Sequence, residues 1–459
     1  MAYMGPDHNH DLISNLRDKL LCSIISLLPA KEAVATTLLS SRWSHLWRSL
    51  YRLDFDPVHV EDVNLLDLIP FQIIEHVVSS QRTNVTVCRI SHSPEDWPSL
   101  LKLINRLKVN KSIEELRLTC IDDGNGTVQY LESSILPVSL FRCGTLRVLE
   151  LNNYQLSVDD SIAAAFEGCV NLTTLKLNSV RVTPESLFRI ICNCEFLENL
   201  SLCSCIGLDY IKIISNHNYF KFLELRNLDL YKIEIYLKSV TELVLDNVQY
   251  SKRCYINCPD LRVFRAFGKN MTNSEILGRC CGLLRSSTKY GEEFLSAPNL
   301  CVLCTELDLN DLRDSILFAF ILKSSVRLQK IDVTNRANPS SSKLPYNESP
   351  FWEKPELSNK ITPHLKLVWI RGFAGKEREM MLANHLIKNA IMLEKIVIQC
   401  DDNCSREGAV ITRTLRWLPM ASMNASVILK PPSKFMTEVG DDFGNWVSTL
   451  LSYSAERHF

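Results

Sequence analysis

The sequence lacks the segments that direct a chain into or across a membrane. Its first residues, MAYMGPDHNHDLISNL, contain neither the basic stretch nor the apolar core of a secretory signal. No later segment reaches the roughly 18 consecutive apolar residues that a membrane-spanning helix needs. We therefore expect no membrane partner, and a location in the nucleus and/or cytoplasm.

An excess of charge of one sign is also missing. The chain has 51 basic and 52 acidic side chains, which give a net charge of −1. Because nucleic acids and anionic membranes attract strongly basic proteins, we expect no nucleic-acid partner. With 459 residues, of which 46% are hydrophobic, the chain exceeds one ordinary domain and can bury a large core.

The 17 cysteines do not form a recognisable metal-binding or disulfide pattern. Several close pairs lack the spacing by which two thiolates reach one zinc ion from a tight turn, namely Cys192 and Cys194, Cys203 and Cys205, and Cys280 and Cys281. We interpret the cysteines as small buried thiols and expect no metal.

No complete catalytic motif is present. The run GFAGK at Gly372–Lys376 has the glycines and lysine of a phosphate-binding loop, but a true loop needs more residues between its glycines and Ser or Thr after the lysine. Here Glu377 follows and would repel phosphate. A nucleophilic cysteine with a histidine base stays open, although no cysteine-protease signature surrounds any cysteine and the 10 histidines are dispersed. We expect no catalytic residues and no cofactor.

The middle of the chain repeats one phrase, an apolar residue, two variable residues and then Leu-x-Leu. The instances are IEELRL at Ile113, LRVLEL at Leu146, LTTLKL at Leu172, LENLSL at Leu197, FKFLEL at Phe220, VTELVL at Val240 and a degraded LRVFRA at Leu261. Their starts are separated by 33, 26, 25, 23, 20 and 21 residues, which brackets the length of one strand and its return in a leucine-rich-repeat solenoid. NVTVCRI at Asn84 and the helical pattern from Trp97 predict an opening unit that caps the N-terminal end.

Side chains alternate across a strand, so the leucines of each phrase point into the core and their neighbours point to the concave face. This face mixes both charge signs with small polar groups, which suits a polypeptide ligand. From it we predict the substrate-binding residues Arg117, Glu150, Lys176, Ser201, Glu224 and Val244.

The C-terminal third continues the alternation of strands and helices. LCVLCTELDL after Leu300 and LQKIDV at Leu328 predict strands on either side of a helix. Residues 337–358 are rich in Pro, Ser and Asn and predict a long surface loop. HLKLVWIRGF, an amphipathic helix and LEKIVI then predict one more turn, with a glycine turn at Gly372 to Gly375.

The first tenth of the chain predicts three short helices. Apolar residues from Leu20 to Leu28 recur at helical spacing, and we expect Pro29 to end the first helix. Trp43 and Trp47 lie on one stripe of the third helix. A module this small cannot enclose all its large apolar side chains, so part of the set should pack on another protein or on the next domain.

These N-terminal residues resemble an F-box, the adaptor-binding module of cullin-based ubiquitin ligases. The match comprises Leu16, Asp18, Leu20, Leu21, Ile24, Leu27, Leu28, Pro29, Lys31, Glu32, Ala33, Val34, Leu39, Ser40, Arg42, Trp43, Leu46, Trp47, Leu53, Asp54 and Phe55. The chain departs from the pattern at Arg17, where proline is usual, and at Lys19, where an acid is usual. The resemblance implies binding of a Skp-type adaptor, and through it a cullin, by Leu16, Leu20, Leu21, Ile24, Leu27, Leu28, Pro29, Leu39, Trp43 and Trp47.

The C-terminal turn resembles the FBD domain, a module found with F-boxes and leucine-rich repeats in plant proteins. The matching residues are Leu365, Ile370, Gly372, Phe373, Gly375, Glu379, Leu382, Leu386, Asn389, Ala390, Leu393, Glu394, Lys395 and Ile398. The predicted fold is α/β, with a three-helix F-box at 11–56, a solenoid at 84–334, the loop at 337–358, an FBD strand-helix-strand unit at 359–430 and an unassigned tail at 431–459.

Together these resemblances imply a non-catalytic, substrate-recognition subunit of a Skp-cullin-F-box ubiquitin ligase that binds an unknown protein substrate. The alternative is a leucine-rich-repeat scaffold that mediates protein-protein interactions without any link to ubiquitin, in which the N-terminal helices only cap the solenoid.

Overall fold

The computed structural model describes residue 13 and residues 15–56, 68–109, 113–121, 136, 138–156, 166–215, 218–268, 298–336 and 363–435. The chain divides into two compact units, Met1–Leu208 and Asp209–Phe459. Both units combine helices with parallel strands, which confirms the predicted α/β class. Among the described residues, no helix combines the length and apolar character that a bilayer crossing requires.

The first unit opens with a helical module. It consists of α1 (Asp18–Ile25), α2 (Ala30–Ala35) and α3 (Trp43–Leu46), with 3-10 turns at Thr36–Leu38 and Trp47–Ser49. The prediction that Pro29 ends the first helix is wrong, because α1 already ends at Ile25. Pro29 instead immediately precedes α2, where its missing N–H costs nothing, since the first N–H groups of a helix have no partner within it.

Six strands of the first unit pair in parallel and in chain order. They are β1 (Arg52–Phe55), β2 (Val87–His92), β3 (Glu115–Cys120), β4 (Val148–Asn152), β5 (Thr174–Asn178) and β6 (Asn199–Cys203). The return segments include α4 (Phe71–Ser79), α5 (Trp97–Val109) and α6 (Pro184–Asn193).

The sheet begins earlier than predicted. Arg52 of β1 pairs with Val87 of β2, so the unit that starts near Asn84 is the second turn and does not cap the N-terminal end. Helix α4, which the sequence analysis did not predict, is the return of the true first turn. Strand β1 therefore falls inside the segment assigned to the F-box.

The inward positions of the repeat phrase form the core. Leu149 and Leu151 of β4 are fully buried, as are Leu175 and Leu200 on the next two strands. Seven residues after five of the seven phrases begin, the chain adopts a left-handed conformation, at Asn153, Ser179, Ser204, Asn227 and Asn247. Asn is among the few non-glycine residues that tolerate this conformation; the turn directly follows β4, β5 and β6, whereas Asn227 and Asn247 lie within longer strands.

The second unit contains two unusually long strands. They are β8 (Phe222–Leu237) and β9 (Glu242–Asn257), which pair in parallel with each other, and β7 (Tyr210–Ser215) pairs with the second half of β8. The expected helical or irregular returns are therefore replaced here by strands. Alternating runs such as LYKIEIYL, with Ile233 and Ile235 fully buried, favour a strand on both sides of the turn at Asn227.

The remaining strands of this unit also pair in parallel and in chain order. They are β10 (Val263–Phe267), β11 (Val302–Leu307), β12 (Lys330–Asn335), β13 (Leu367–Phe373), β14 (Lys395–Cys400) and β15 (Ser426–Lys430). The helices are α7 (Leu312–Ser324), α8 (Glu377–Asn389) and α9 (Arg406–Arg413), with 3-10 turns at Thr414–Trp417 and Ser433–Phe435. The predicted loop at 337–358 lies outside the described residues, as does most of the predicted tail.

Candidate interaction surfaces

The N-terminal module carries large apolar side chains on its surface. Leu20, Ile24 and Leu27 form one stripe along α1 and the turn after it, and Leu27 is 75% exposed. Val34 and Leu38 form a second stripe one helical turn apart, and Leu38 is 88% exposed. Leu39 is exposed beside it. We call these residues the apolar stripes, namely Leu20, Ile24, Leu27, Val34, Leu38 and Leu39.

Other residues assigned to adaptor contact lie in the core of the module. Leu21, Trp43 and Trp47 are buried, together with Ile25 and Leu46. The assignment of Leu21, Trp43 and Trp47 as direct contacts is therefore wrong for the structure as folded, since they contact their own module and have almost no free surface. Helix α1 packs on these large apolar side chains where it meets α3 and the 3-10 turn at Trp47–Ser49.

The predicted contacts Leu16, Leu28 and Pro29 are partly exposed at the edge of this surface. Beside them, the Arg42 guanidinium donates to the Asp18 carboxylate, with N···O 2.6 Å, and to the carbonyl oxygen of Leu16. Both side chains of the ion pair are solvent-exposed, so it adds at most about 1 kcal/mol of stability. Its effect is to hold the start of α1 against the segment that leads into α3.

Val34 and Leu38 are contact candidates that were not among the predicted adaptor-binding residues. Ala33 is buried while its neighbour Val34 is exposed, so helix α2 has small residues toward the core and larger apolar ones toward solvent. That inversion is visible in the sequence AKEAVATTL, where Ala30 and Ala33 suit close packing and the Val34 to Leu38 spacing marks the opposite face.

The sheet of each unit has an open face, on the side opposite the buried Leu-x-Leu residues. In the first unit the centre row of this face consists, in strand order, of Asp54, Arg89, Arg117, Glu150, Lys176 and Ser201. In the second unit the corresponding row consists of Glu224, Val244, Arg265, Cys304, Asp332, Trp369, Val397 and Ile428. The six predicted substrate-binding residues therefore all lie in centre rows, with four in the first unit and two in the second.

Neighbouring charges in the first-unit row pair with one another. Arg89 contacts Asp54 and Glu115, and its N···O distance to Glu115 is 2.7 Å. Glu150 lies between Arg117 at 2.9 Å and Lys176 at 3.8 Å. In the second unit Glu224 contacts Arg226 at 2.7 Å. These ion pairs lie across adjacent strands or along one strand and fix the side chains in place.

Two of the predicted substrate contacts are not exposed. Ser201 is 9% exposed and Val244 is 5% exposed, so their assignment as surface contacts is wrong. Both residues are short compared with their neighbours in the row. Ser201 lies next to Lys176, and Val244 lies between Glu224 and Arg265, all of which extend farther from the sheet.

Cys301 and Cys304 have zinc-like spacing, but Cys304 lies in strand β11 and Cys301 directly precedes that strand, so the pair is not held in a tight turn. Residues three apart in a strand point to opposite faces, so the two thiols cannot share an ion. Burial raises the pKa of the Cys304 thiol, which disfavours the thiolate that a metal needs. In the described part of the chain, no three His, Cys, Asp or Glu side chains lie close enough together to bind one ion.

Comparison with known proteins matches this arrangement. A family model described as "FBD-associated F-box protein At5g56370, LRR repeats" matches residues 101–276, and the FBD model matches residues 361–398. The chain is therefore similar to plant F-box/FBD/leucine-rich-repeat proteins, and its repeat and FBD segments match their family models.

Relatives in Arabidopsis thaliana align with long parts of the chain. The FBD-associated F-box protein At4g10400 is 25% identical over 88% of this chain and 96% of its own length. The F-box/FBD/LRR-repeat protein At4g00160 is 27% identical over 86% of this chain and 88% of its own length. The F-box protein At4g09920 is 31% identical, over 43% of this chain and 61% of its own length.

The FBD match contains the glycine turn, and the structure explains both glycines. Gly372 has φ +69 and Gly375 has φ +75, which L-residues with side chains rarely adopt. A Cβ on Gly372 would lie 2.3 Å from the carbonyl oxygen of Asn335, and one on Gly375 would lie 2.4 Å from that of Gly408. The glycines thus permit close approach of backbone to backbone, which agrees with a turn and not with a phosphate site.

The family residue Glu379 is fully buried at the start of α8. Its Oε2 accepts from the backbone N–H groups of Ala374 at 2.8 Å and Lys376 at 3.2 Å. Its Oε1 accepts from the side-chain amides of Asn310 at 2.9 Å and Asn335 at 2.8 Å. This carboxylate therefore joins the end of β12, the turn after β11 and the FBD glycine turn.

Proposed function

We propose that this chain is the substrate-recognition subunit of a Skp-cullin-F-box ubiquitin ligase. The observation that carries the proposal is the pair of apolar stripes, which are exposed on a folded module of F-box sequence. Large apolar side chains are expensive to leave in water at roughly 25 cal/mol per Å², so a surface with this many of them suits a permanent protein partner. The matches to the leucine-rich-repeat and FBD models and the names of the relatives support a role in protein interaction.

In this proposal the chain performs no chemistry. The module docks a Skp-type adaptor and through it a cullin, while the open faces of the sheet hold a protein substrate. Ubiquitin transfer then gains from proximity, since holding both reactants on one scaffold raises their effective concentration. The location that goes with the proposal is the nucleus and/or cytoplasm, which imaging of a fluorescent fusion tests.

Reconstitution with a purified Skp-type adaptor tests the proposal directly. We expect the full chain and the adaptor to co-elute from size-exclusion chromatography as a complex of equal proportions. A chain that elutes alone, with unchanged folding, would leave the scaffold without a link to ubiquitin as the better description.

Arg17→Pro combined with Lys19→Glu is expected to stabilise the module and to tighten the adaptor complex. Arg17 precedes α1 with φ −67, within the range that a proline ring fixes, so proline should stabilise by about 0.4–1 kcal/mol through the unfolded chain. Lys19 lies in the first turn of α1, where an acidic side chain gains about 0.3–1 kcal/mol from the helix dipole. Isothermal titration calorimetry with the adaptor measures the second effect.

Lys31→Glu is the matched control, because it places the same charge in the first turn of α2. It should affect helix stability similarly without tightening the complex. Equal dissociation constants for the double variant and the original chain would show that both departures from the family pattern are neutral for binding.

For the substrate surface, we expect the triple variant Arg117→Glu, Glu150→Arg and Lys176→Glu to lose substrate while keeping adaptor affinity. Reversing all three charges preserves each ion pair, because the charge order along the row changes from plus-minus-plus to minus-plus-minus. Stability should therefore change by only about 0.5 kcal/mol. Quantitative mass spectrometry of proteins ubiquitinated with each version measures the loss.

Glu224→Arg is a useful contrast, since it places a second cation beside Arg226 and breaks that ion pair, whereas the triple variant preserves the pairs of Glu150. An unchanged set of ubiquitinated proteins with the triple variant would remove the first-unit open face from substrate recognition.

A further inference from the structure

The open face of the last four strands differs from the rest of the sheet. Its centre row contains a run of three apolar side chains, Trp369, Val397 and Ile428, which lie in register on β13, β14 and β15. Trp369 and Ile428 are partly exposed, and Val397 between them is fully buried. At about 4.8 Å between strands, Trp369 and Ile428 lie roughly 10 Å apart, and these two side chains supply the exposed apolar surface of the strip, with Val397 buried between them.

Cationic side chains border this strip on both sides. One row toward the strand starts lie Lys330 and Lys395, with the partly exposed Leu367 between them. One row toward the strand ends lie Arg371 and Lys430. The only carboxylate in these three rows, among the described residues of β12–β15, is Asp332, which pairs with Arg371.

The indole ring of Trp369 fixes the two cations at the strand-end border. The Arg371 guanidinium carbon lies 5.0 Å from the ring centroid, and the Lys430 Nζ lies 6.0 Å from it. Cation–π attraction at this range limits the freedom of long side chains before any ligand arrives. A partner then loses less conformational entropy when it pairs with these cations.

The first-unit open face has no such excess of positive charge. Its three rows hold four cations, Arg52, Arg89, Arg117 and Lys176, against four carboxylates, Asp54, Asp56, Glu115 and Glu150. These charges neutralise one another over the face as a whole. The four last strands instead carry four cations against one carboxylate, so their long-range attraction is for negative charge.

We infer that the open face of β12–β15 binds an extended acidic segment of a protein, with an apolar side chain seated on the Trp369 strip. Side chains two apart in a strand are separated by roughly 6.6 Å, and an extended peptide has the same repeat along one face. A peptide running parallel to the strands therefore matches the three rows with an acidic residue, an apolar residue and a second acidic residue at every other position. This inference rests on the proposed function, because it names the chemistry of the substrate segment.

Synthetic peptides in the format X-Ser-X-Ser-X test this pattern, with each X acidic, basic, polar or apolar. The full chain is titrated into each fluorescein-labelled peptide, and binding is measured by fluorescence anisotropy. We expect Glu-Ser-Leu-Ser-Glu to bind most tightly, and Lys-Ser-Leu-Ser-Lys and Glu-Ser-Ser-Ser-Glu to bind at least about 10-fold more weakly, because each lacks one of the two matches.

Two kinds of variant test whether the acidic-apolar-acidic peptide binds to the open face of β12–β15. Trp369→Ala should lower affinity for the acidic peptide at least about 10-fold, as expected for a central aromatic anchor. Its matched control is Trp417→Ala, which removes an indole that is 82% exposed in the 3-10 turn after α9. Lys330→Glu with Lys395→Glu keeps the strip intact and should favour the basic peptide instead, whereas Lys176→Glu in the first unit should not.

Equal affinity of the acidic and basic peptides would overturn the inference, as would identical binding by Trp369→Ala and Trp417→Ala. A dimer in light scattering that Trp369→Ala dissolves would assign the face to a second copy of the chain, which also overturns it. Adaptor co-elution is measured on the same variants. A chain that selects the acidic peptide without binding adaptor defeats the proposed ligase role alone, and a chain that binds adaptor without peptide selection defeats this inference alone.

Discussion

Leu27→Asp combined with Leu38→Asp is expected to lower affinity for a Skp-type adaptor by at least about 100-fold, or roughly 2.7 kcal/mol. Both leucines are among the most exposed large apolar residues of the described chain, at 75% and 88%. In a complex they would be desolvated, and a carboxylate in the same position would be buried without a partner. Surface plasmon resonance with immobilised adaptor measures the loss.

Since both residues are exposed in the free chain, the double variant should fold normally. Val170→Asp is the matched control in the same unit, because it introduces a carboxylate at an apolar residue that is 51% exposed. It should leave adaptor affinity within about twofold, since exposed substitutions away from an interface have small effects. Equal affinities for the double variant and Val170→Asp would refute adaptor docking through the apolar stripes.

Trp47→Ala is expected to weaken the same complex by another route. Trp47 is buried in the module, and replacing a buried Trp by Ala typically costs about 3–5 kcal/mol of stability. Loss of binding should therefore accompany loss of helical structure in the module, which separates Trp47→Ala from Leu27→Asp and Leu38→Asp. The F-box pattern groups all these residues together, and only burial distinguishes the core from the surface.

The repeat phrase was sufficient to predict the core because its leucines alternate with polar residues at the period of a strand. Leu149, Leu175 and Leu200 lie where the phrase predicts, each fully buried on successive parallel strands. What the phrase cannot predict is the exposure of its outward residues. Ser201 lies in the first-unit row with Lys176 and Val244 lies in the second-unit row with Arg265, yet both are buried.

The first turn of the sheet and the long strands escaped prediction for other reasons. Strand β1 has only four residues, Arg52–Phe55, and no Leu-x-Leu phrase, so local sequence does not separate it from the helices before it. In β8, the alternating run after Asn227 resembles an ordinary strand, but nothing local indicates that it follows another strand directly. The second half of β8 pairs with β7, and the local sequence does not show this contact.

The Trp369 strip could not be predicted from the local sequence either. Trp369, Val397 and Ile428 are far apart in the chain and each reads as an ordinary apolar strand residue. Only the register of three strands places them side by side, and only the neighbouring rows show that cations surround them. The net charge of −1 for the whole sequence conceals this local excess.

Glu379 has a buried carboxylate. Among the residues of the FBD unit, its loss should lower the free energy of unfolding the most. A charged residue in the first helical turn would ordinarily be interpreted as exposed. Its amide partners Asn335 and Asn310 lie 44 and 69 residues earlier in the chain, so no local pattern connects them. The carboxylate also lies at the N-terminus of α8, where the helix dipole favours negative charge.

Glu379→Ala is expected to destabilise the second unit by about 3 kcal/mol or more, since it leaves the buried donors of Ala374, Asn310 and Asn335 without an acceptor. For a unit of this size each kcal/mol shifts the melting temperature by about 2–4 °C, so we expect a decrease of roughly 6–12 °C in differential scanning calorimetry. Glu377→Ala is the matched control, because Glu377 lies in the same helical turn but is exposed, and its loss should cost only about 0.5 kcal/mol. Glu379→Gln should fall between the two, because it keeps one oxygen acceptor but turns an amide toward N–H donors. Melting temperatures that agree for Glu379→Ala and Glu377→Ala would show that this carboxylate does not connect the three turns of the chain.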